Sequence, residues 1–390
     1  MLMPHAETPL VFINEGSTMA LPPCDVIIPA RNAAATLGEA VSSVLAQTAP
    51  DLCLYIVDDG STDSTQAIAR EFAAADSRVT VLSLPGAGIS AAMNAGIAAG
   101  SNPVIARLDA DDISDPDRHA RQLAYFVANR DVVALSGAHR EIRANGTLTG
   151  RIHRAAFETH ADPARAPASE PPLTQPFFMV RRTALMAAGG YRPFPVSEDS
   201  DLYWRLSEQG ALVCLPEIVG SYRVHSGSIS AASIVNGRLM ALCSQLAALS
   251  ARRRGRGAAD IILPAQPRWR DAGDLASMID HAAADTGLEP AELRHLRIAC
   301  AAKLMELAGY RPYELEARDC TFIAYALEMD ADGLAPENRS DLAKMRSASA
   351  ARLLRKGHVG RALKLAPVSL MPQTLLRAGT GRLYWSKLPG

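Results

Sequence analysis

The sequence predicts an α/β fold with a mainly parallel, Rossmann-like sheet flanked by helices, followed by a mostly helical C-terminal region. In the first third of the chain, short apolar runs alternate with segments of helical periodicity, which is typical of βαβ units. Beyond residue 233, Ala- and Leu-rich segments with a 3.6-residue period replace the strands. A chain of 390 residues also exceeds one ordinary domain. We therefore expect a loose tail over residues 1–23, an α/β domain over 24–232 and a helical region over 233–390.

Four buried strands with intervening helices are expected at the start of the α/β domain. The predicted strands are residues 25–29, 52–57, 79–84 and 103–108, and the predicted helices are residues 33–47, 62–75 and 89–99. Ser61 or Thr62 is a suitable N-cap for the second helix. In such sheets ligands bind beyond the carboxyl ends of the strands, and the acidic clusters of this sequence fall at those ends.

The overall composition excludes several classes of protein. Hydrophobic residues make up 48% of the chain and the formal net charge is -1, so nothing favours binding to nucleic acid. The six cysteines form no C-x-x-C pair, which argues against a zinc site and fits reduced thiols in a cytoplasmic protein. No run of 18 apolar residues and no signal-peptide pattern is present, so we expect neither a transmembrane helix nor a leader.

The strongest chemical signal is the acidic turn Asp109-Ala110-Asp111-Asp112, which follows the fourth predicted strand. Three carboxylates within four residues repel one another unless a cation joins them. Carboxylate oxygens suit Mn²⁺ or Mg²⁺, which bind through one or two carboxylates together with substrate phosphates. The alternative is an acidic surface turn, which is the commoner explanation for an isolated D-x-D. Its position at a strand end, with other acids at neighbouring ends, favours the metal.

Two further segments carry weaker signals for binding. Asp58-Asp59-Gly60 ends the second predicted strand, where a carboxylate would accept hydrogen bonds from a uracil imide or a ribose hydroxyl. Asp-Gly is also an ordinary turn signal. The small-residue helix over 88–96 contains Asn94, which is able to donate to a ligand; helix–sheet packing explains its other residues equally well.

Charged residues near two later elements complete the candidate site. Glu198 and Asp199 begin a predicted helix that Ser197 is able to cap, and acids in a first turn favour the helix dipole. The functional interpretation is a carboxylate that acts as general base. His225 is a candidate ligand for a metal or a phosphate, although a lone His is more often structural. Arg223 and Arg107 are candidates for phosphate or acceptor contacts, or for ion pairs with the acids.

Together these blocks resemble the family 2 glycosyltransferases, in the order and at the approximate spacing of that family. The matching stretches are residues 26–32, 56–61, 88–96, 107–112, 198–205 and 222–225. The resemblance implies a GT-A fold, a divalent metal, a nucleotide-sugar donor that is usually a UDP-sugar, and inversion at the anomeric carbon. It covers about half of the chain and says nothing about the helical region. One departure is Met93, because many members carry Arg at that position.

The resemblance also implies roles for single residues. Asp59 would contact the base, and Asp199 would be the catalytic base. The implied metal ligands are Asp109, Asp111, Asp112 and His225. The implied donor-binding residues are Pro29, Arg31, Asp59, Asn94, Arg107, Asp109, Glu198 and Arg223. Residues 152–176, rich in Pro, Ala and charge, form a candidate lid that excludes water during transfer.

Two other functions and several partners remain open from the sequence. A metal-dependent nucleotidyltransferase also uses carboxylates on an α/β sheet, but it usually needs a Gly-rich phosphate loop that residues 29–32 do not supply. A non-catalytic sugar-nucleotide-binding protein is the second alternative. The expected acceptor is a saccharide or a lipid-linked molecule. Residues 342–390 contain ten Lys or Arg and no acid, which indicates either peripheral contact with the inner face of the cell membrane or packing within the protein or a homodimer.

Overall fold

A computed structural model describes residues 20–49, 51–155, 161–225, 233–264, 267–329 and 334–380. Its strands are β1 Cys24–Ala30, β2 Leu52–Asp59, β3 Val79–Leu84, β4 Val104–Arg107, β5 Ile113–Ser114, β6 Val132–Arg143, β7 Leu148–His153, β8 Met179–Arg181 and β9 Ala211–Val224. Its helices are α1 Leu37–Leu45, α2 Thr65–Ala75, α3 Ile89–Ala99, α4 Arg118–Ala128, α5 Arg182–Ala187, α6 Glu198–Ser207, α7 Ile234–Arg254, α8 Leu275–Thr286, α9 Pro290–Tyr310, α10 Ala317–Met329, α11 Pro336–Arg355, α12 Val359–Leu365 and α13 Met371–Thr380. The predicted fold class, an α/β part followed by a helical region, is confirmed.

The sheet is mixed. Its strand order is β3-β2-β1-β4-β8-β6-β9-β5, with β7 paired to β6 outside this path. The first four strands are parallel, as expected from the alternation of strands and helices. β8 is antiparallel to both of its neighbours, whereas β6 and β9 run parallel to each other. The βαβ pattern therefore describes one half of the sheet, and the other half follows connections that a local pattern does not reveal.

Alternation along the strands builds a core on each face of the sheet. In β1, Val26 and Ile28 belong to one hydrophobic cluster, which also contains Val41 of α1. Ile27 belongs to the opposite cluster, together with Met93 of α3. Successive side chains of a strand point to opposite faces, so a continuous apolar run requires helices on both sides. Because β1, β2 and β4 are parallel, their carboxyl ends lie at the same edge of the sheet, where a ligand would bind.

The helical region has its own core, which also takes in side chains from the α/β part. Trp204 of α6 belongs to this cluster together with Leu242 of α7 and Leu304 of α9. α7 is the one helix in the described ranges that is long and apolar enough to cross a membrane, and 78% of its most apolar window is buried inside the protein. Its contacts identify it as the central core helix of this region.

The candidate lid is fixed to the helical region where the structure describes it; residues 156–160 of that segment lie outside the described residues. The backbone N–H of Ala166 donates to Asn338 Oδ1 at 2.9 Å, and Asn338 Nδ2 donates back to Ala166 O at 2.7 Å. The N–H of Ala168 donates to Gln245 Oε1 at 3.0 Å. Ala166 is fully buried. These anchors do not suit a segment that opens in every catalytic cycle.

One predicted helix cap is wrong, and the other lies at the predicted position without a side-chain hydrogen bond. α2 begins at Thr65 with Ser64 as its N-cap residue and without a side-chain cap, while Ser61 Oγ accepts a hydrogen bond from the N–H of Asn32. Ser197 lies in the left-handed region at φ 57° and forms no cap bond to α6. In the first case the hydroxyl joins two loops, a contact between residues distant in sequence that local propensity does not predict.

Candidate active site

The loops that follow β1 and β2 are tied to each other at the carboxyl edge of the sheet. The N–H of Asn32 donates to Ser61 Oγ at 2.9 Å, and the N–H of Thr62 donates to Asn32 Oδ1 at 2.8 Å. Asn32 adopts a positive φ of 51°, which Asn tolerates better than most residues. One wall of the site is therefore rigid before any ligand arrives.

Asp59, the predicted contact for the nucleotide base, organises the loop before α3. Its Oδ1 accepts the N–H of Ala87 at 2.6 Å and its Oδ2 accepts the N–H of Gly88 at 2.8 Å. Gly60 has a φ of +72°, and a Cβ there would lie 2.8 Å from the nitrogen of Gly86. The strand end and the loop therefore touch through backbone atoms. A contact between Asp59 and a base stays a prediction.

Three other predicted donor-binding residues lie near this wall. The exposed guanidinium of Arg31 lies beside Gly86, with 3.8 Å between its Nη2 and the place of a Cβ on that glycine. Pro29 is buried inside β1. The side chain of Asn94 forms two hydrogen bonds with the backbone of Tyr191. Its Nδ2 donates to Tyr191 O at 2.8 Å, and its Oδ1 accepts the N–H of Tyr191 at 2.9 Å. Asn94 thus fixes Tyr191 in place, and a direct contact of Asn94 with the donor stays a prediction.

In the acidic turn after β4, Asp111 meets His225, which follows β9. Asp111 Oδ2 and His225 Nε2 are 2.9 Å apart, and about one third of each side chain is exposed. Burial and the neighbouring charge of Asp109 raise the pKa of Asp111, against the opposite effect of His225. Two predicted metal ligands are therefore in contact and partly exposed, although they lie far apart in sequence.

Asp112 and Arg223, predicted as a metal ligand and a donor contact, instead join the turn to β9. The carboxylate of Asp112 is fully buried and its Oδ1 accepts the N–H of Arg223 at 2.8 Å. The guanidinium of Arg223 donates to Asp111 O at 2.7 Å, to Ala144 O at 2.9 Å and to Glu39. Arg223 is 2% exposed. Arg223 forms contacts within the protein, in line with the ion-pair alternative, whereas Asp112 Oδ2 is buried without a hydrogen-bond partner among the described residues. A metal role for Asp112 and a donor contact for Arg223 stay predictions.

The residues present fit a divalent cation that is shared with a ligand. Within the described ranges, no three His, Cys, Asp or Glu side chains are placed to hold a metal on their own. Mg²⁺ and Mn²⁺ sites in nucleotide-dependent enzymes commonly use one or two carboxylates and complete their shell with phosphates and water. Asp111 and His225, with Asp109 beside them, supply such a partial set. The four predicted ligands are therefore not assembled together, and Asp112 is withdrawn from the surface.

Arg107 connects the acidic turn to α6. Its Nε donates to Asp109 Oδ1 at 2.7 Å, and its Nη1 lies 3.5 Å from Glu198 Oε1. Arg107 is only 5% exposed, and the charges of Asp109, Tyr191 and Glu198 outweigh its burial, so its pKa lies well above the usual value. Burial raises the pKa of Tyr191, in the same pocket, to about 12. A permanently charged arginine therefore lies between two acids that the sequence assigned to donor binding.

Asp199 occupies the first turn of α6, next to Glu198. Its Oδ1 accepts the N–H of Ser200 at 2.9 Å. Burial, and next the charge of Glu198, raise the pKa of Asp199 to about 7. A carboxylate with this pKa is able to take a proton at neutral pH and release it again, which is what general-base chemistry requires. Arg107 therefore contacts both Asp109 and Glu198, and Asp199 follows Glu198 directly in α6.

Sequence reasoning missed several residues of this site. Tyr191 lies in a loop without a recognisable motif, and only the fold brings it to Asn94 and Arg107. Gln175 accepts a hydrogen bond from Tyr203 Oη at 2.5 Å and lies 3.5 Å from Glu198. No periodicity or spacing in the sequence marks these residues, because their contacts span distant parts of the chain.

A sheet with carboxylates gathered beyond its strand ends is typical of nucleotide-dependent enzymes. Residues 25–189 match the family model described as Glycosyl transferase family 2. Residues 25–189 are therefore similar to the family 2 glycosyltransferases, and this confirms the resemblance found in the sequence.

Individual relatives agree with this family. The chain is 30% identical over 146 residues to a chondroitin synthase of Pasteurella multocida, which is 37% of this chain and 15% of that protein. It is 29% identical over 226 residues to an uncharacterized glycosyltransferase of Haemophilus influenzae, which is 54% of this chain and 68% of that one. A solved mannosyltransferase from Pyrobaculum calidifontis, in complex with GDP-Man and Mn²⁺, aligns with a TM-score of 0.49 and 17% identity over 94% of this chain and 88% of that chain. The match thus spans only a small part of the chondroitin synthase.

Proposed function

We propose that this protein is an inverting glycosyltransferase that moves a sugar from a nucleoside-diphosphate sugar, most simply a UDP-sugar, to an acceptor hydroxyl with the help of Mn²⁺ or Mg²⁺. The family match and the polysaccharide synthase among the relatives support a role in polysaccharide or glycolipid synthesis. The observation that carries the proposal is the set of contacts from Asp109 through Arg107 to Glu198, which is next to Asp199, with the Asp111–His225 pair on the same acidic turn as Asp109. The acidic turn offers ligands for a cation, and Asp199 offers a carboxylate that accepts a proton.

The proposed roles follow from charge. A one-step displacement at the anomeric carbon requires a base that takes the proton of the attacking hydroxyl, and Asp199 is the group with a suitable pKa. Arg107 pairs with both Asp109 and Glu198, and its positive charge reduces the repulsion between the two carboxylates. Arg31 and the loop held by Asp59 form the side where the nucleotide would lie.

A divalent cation held by Asp111 and His225, with Asp109 nearby, would neutralise the charge that develops on the leaving diphosphate. The protein's own contribution there is to keep the Asp111 carboxylate and the His225 imidazole within 2.9 Å of each other. Arg223 supports that arrangement, because its guanidinium donates a hydrogen bond to the backbone oxygen of Asp111.

The proposal extends to the organisation of the chain and its surroundings. Residues 24–232 would form the catalytic domain and residues 233–390 a helical region that packs against it. We place the enzyme in the cytoplasm, where nucleotide sugars are available, with a lipid-linked or saccharide acceptor. Residues 342–390 would contact the anionic inner face of the membrane, and a homodimer is the competing occupant of that surface.

A donor panel tests the proposed activity. UDP-glucose, UDP-galactose, UDP-GlcNAc, UDP-GalNAc and GDP-mannose are each assayed for nucleotide release with simple saccharide acceptors, with and without Mn²⁺. We expect one donor to release its nucleoside diphosphate and to raise the melting temperature; a ligand at about 100 times its Kd stabilises by about 2.7 kcal/mol. Release of pyrophosphate from a nucleoside triphosphate would instead identify a nucleotidyltransferase. Binding of a donor without turnover would identify a non-catalytic binding protein.

A further inference from the structure

A chain of polar contacts runs from the helical region to the first turn of α6. Lys303, on α9, has its Nζ 3.0 Å from Glu170 Oε1. The other carboxylate oxygen of Glu170 accepts a hydrogen bond from Ser200 Oγ. Ser200 follows Asp199 directly, and its own N–H donates to Asp199 Oδ1 at 2.9 Å. Two residues, Glu170 and Ser200, therefore separate a lysine of the helical region from the proposed base.

The burial of these groups makes the chain of contacts energetically significant. The side chain of Lys303 is 14% exposed and Ser200 is 4% exposed. Removing one partner of a poorly solvated ion pair leaves an uncompensated charge, which is strongly unfavourable. Burial raises the pKa of Glu170, but Lys303 and the bond from Ser200 outweigh this effect and lower it overall. Glu170 is thus held as a carboxylate, with one oxygen on a lysine and the other on α6.

We infer that Lys303 and Glu170 are positioning residues for Asp199: they hold the first turn of α6 through Ser200 and set the charge that surrounds the base. This inference rests on the proposed function, in which Asp199 accepts the proton of the acceptor. It gives the helical region a part in the reaction, because Lys303 belongs to α9, which packs in the core of that region.

The charges facing Asp199 determine the direction of each expected effect. Glu198 on the same helix and Glu170 from the preceding segment raise the pKa of Asp199, and Arg107 from β4 lowers it. Tyr191 and Tyr203 also face Asp199. Removing the negative charge of Glu170 should therefore make Asp199 a stronger acid. Removing the positive charge of Lys303 leaves Glu170 uncompensated and should make Asp199 a weaker acid.

The test compares Glu170→Gln with Lys303→Met in the full chain, using the nucleotide sugar that the donor panel identifies. The measurement is kcat/KM against pH, which reports the ionisation of the base in the free enzyme. We expect the acidic limb to move to lower pH in Glu170→Gln and to higher pH in Lys303→Met. Donor Kd should stay unchanged in both variants, because neither residue lies at the nucleotide side of the site.

A matched control is Glu306→Gln. Glu306 is the second carboxylate bound to Lys303, with 3.2 Å between Lys303 Nζ and Glu306 Oε1, and this substitution does not alter the contacts of Glu170 with α6. In Glu306→Gln, the acidic limb of the kcat/KM profile should lie at the same pH as in the unmodified enzyme. If both Glu170→Gln and Lys303→Met lower the melting temperature but leave the acidic limb of the kcat/KM profile at its original pH, the inference is overturned. Lys303 and Glu170 would then have only a structural role.

The variant Asp199→Asn separates this inference from the proposed function. If Asp199→Asn loses turnover while the limbs of the other variants do not move, the coupling fails and the base assignment survives. If Asp199→Asn keeps full kcat, the base assignment fails, and the inference fails with it.

Discussion

Two carboxylates of the candidate site, Asp199 and Asp111, have raised pKa values, and their surroundings differ in kind. Glu198, an acid next to Asp199, adds to the effect of burial, while Arg107 works in the opposite direction. Asp111 faces an imidazole that accepts or donates at 2.9 Å. The first environment suits a group that exchanges a proton, and the second suits a group that shares a cation. Residue type alone does not distinguish the two roles.

We predict that Asp199→Asn lowers kcat by about 10²- to 10⁴-fold with little change in donor Kd, because an amide cannot accept the proton of the acceptor. In the unmodified enzyme, kcat/KM should fall as pH drops below about 7, since protonation of Asp199 removes the base. Steady-state kinetics against pH check both statements. Asp117→Asn, an exposed acid paired with Arg121, serves as the control. A loss confined to KM would contradict the assignment.

We predict that Asp111→Asn and His225→Asn abolish the response of donor binding to Mn²⁺ and leave the melting temperature of the free protein nearly unchanged. The pair is partly exposed, and in the proposed function it supplies the metal ligands. Donor titrations with and without Mn²⁺ measure the effect. Asp112→Ala should behave differently: it removes the acceptor for the N–H of Arg223, so it should cost about 1–3 kcal/mol of stability. Full Mn²⁺ response in Asp111→Asn would remove the metal assignment.

At the scale of elements, the turn after β2 and the loop before α3 behave as one unit. We predict that Gly60→Ala destabilises the protein by more than about 1 kcal/mol and weakens donor binding. Its φ of +72° is unfavourable for Ala, and the new Cβ would lie 2.8 Å from the nitrogen of Gly86. Chemical denaturation and UDP titration provide the measurements.

Gly150 supplies the matched control for this substitution. It has a similar φ of +86°, but a Cβ there would meet nothing within 4 Å. Gly150→Ala should therefore show the backbone strain without the clash, and UDP should bind as it does to the unmodified protein. Equal losses of UDP affinity in both variants would show that the contact between the two loops does not shape the donor site.

The elements also show what the sequence is able to predict. β3 and α3 were predicted to the residue, because apolar periodicity and flanking Gly or Pro are local signals. The predicted first helix begins too early: residues 33–36 turn back instead, and the N–H of Ala33 donates to Thr65 Oγ1 at 2.8 Å. The contact between Asp112 and Arg223 was not predicted, for a related reason. Their partners lie far away in sequence, and whether a charged side chain is exposed depends on packing that no motif encodes.

At the scale of the whole molecule, the basic C-terminal region divides into a buried part and an exposed part. α11 buries Leu342, Met345 and Leu353 in the core of the helical region, so a chain that stops near residue 340 would lose that core. Some of the basic charge is also neutralised internally: Glu314 pairs with Lys356 and His358. The proposed membrane contact therefore belongs to α12 and α13, and truncation is an unsuitable test of it.

The exposed part combines apolar side chains with cations. Val359 and Leu363 on α12 and Leu375 and Leu376 on α13 are each more than half exposed. Val359 also lines an open surface depression together with the basic side chains of His358, Arg361 and Lys364. Apolar residues next to Lys and Arg are the composition of an interfacial surface, and the absence of acids beyond Asp341 favours an anionic partner.

We predict that the protein sediments with vesicles containing phosphatidylglycerol but not with pure phosphatidylcholine vesicles, and that salt weakens the binding. Each Lys or Arg near an anionic leaflet contributes about 1 kcal/mol, so Arg361→Glu with Lys364→Glu should weaken partitioning by at least about tenfold. Leu375→Ser with Leu376→Ser should reduce it as well, whereas Ile262→Ser, at an exposed apolar residue outside this surface, should not. No sedimentation at low salt would exclude the membrane contact. A dimer that dissociates in the Leu375→Ser, Leu376→Ser variant would then identify a second copy of this chain as the partner of the surface.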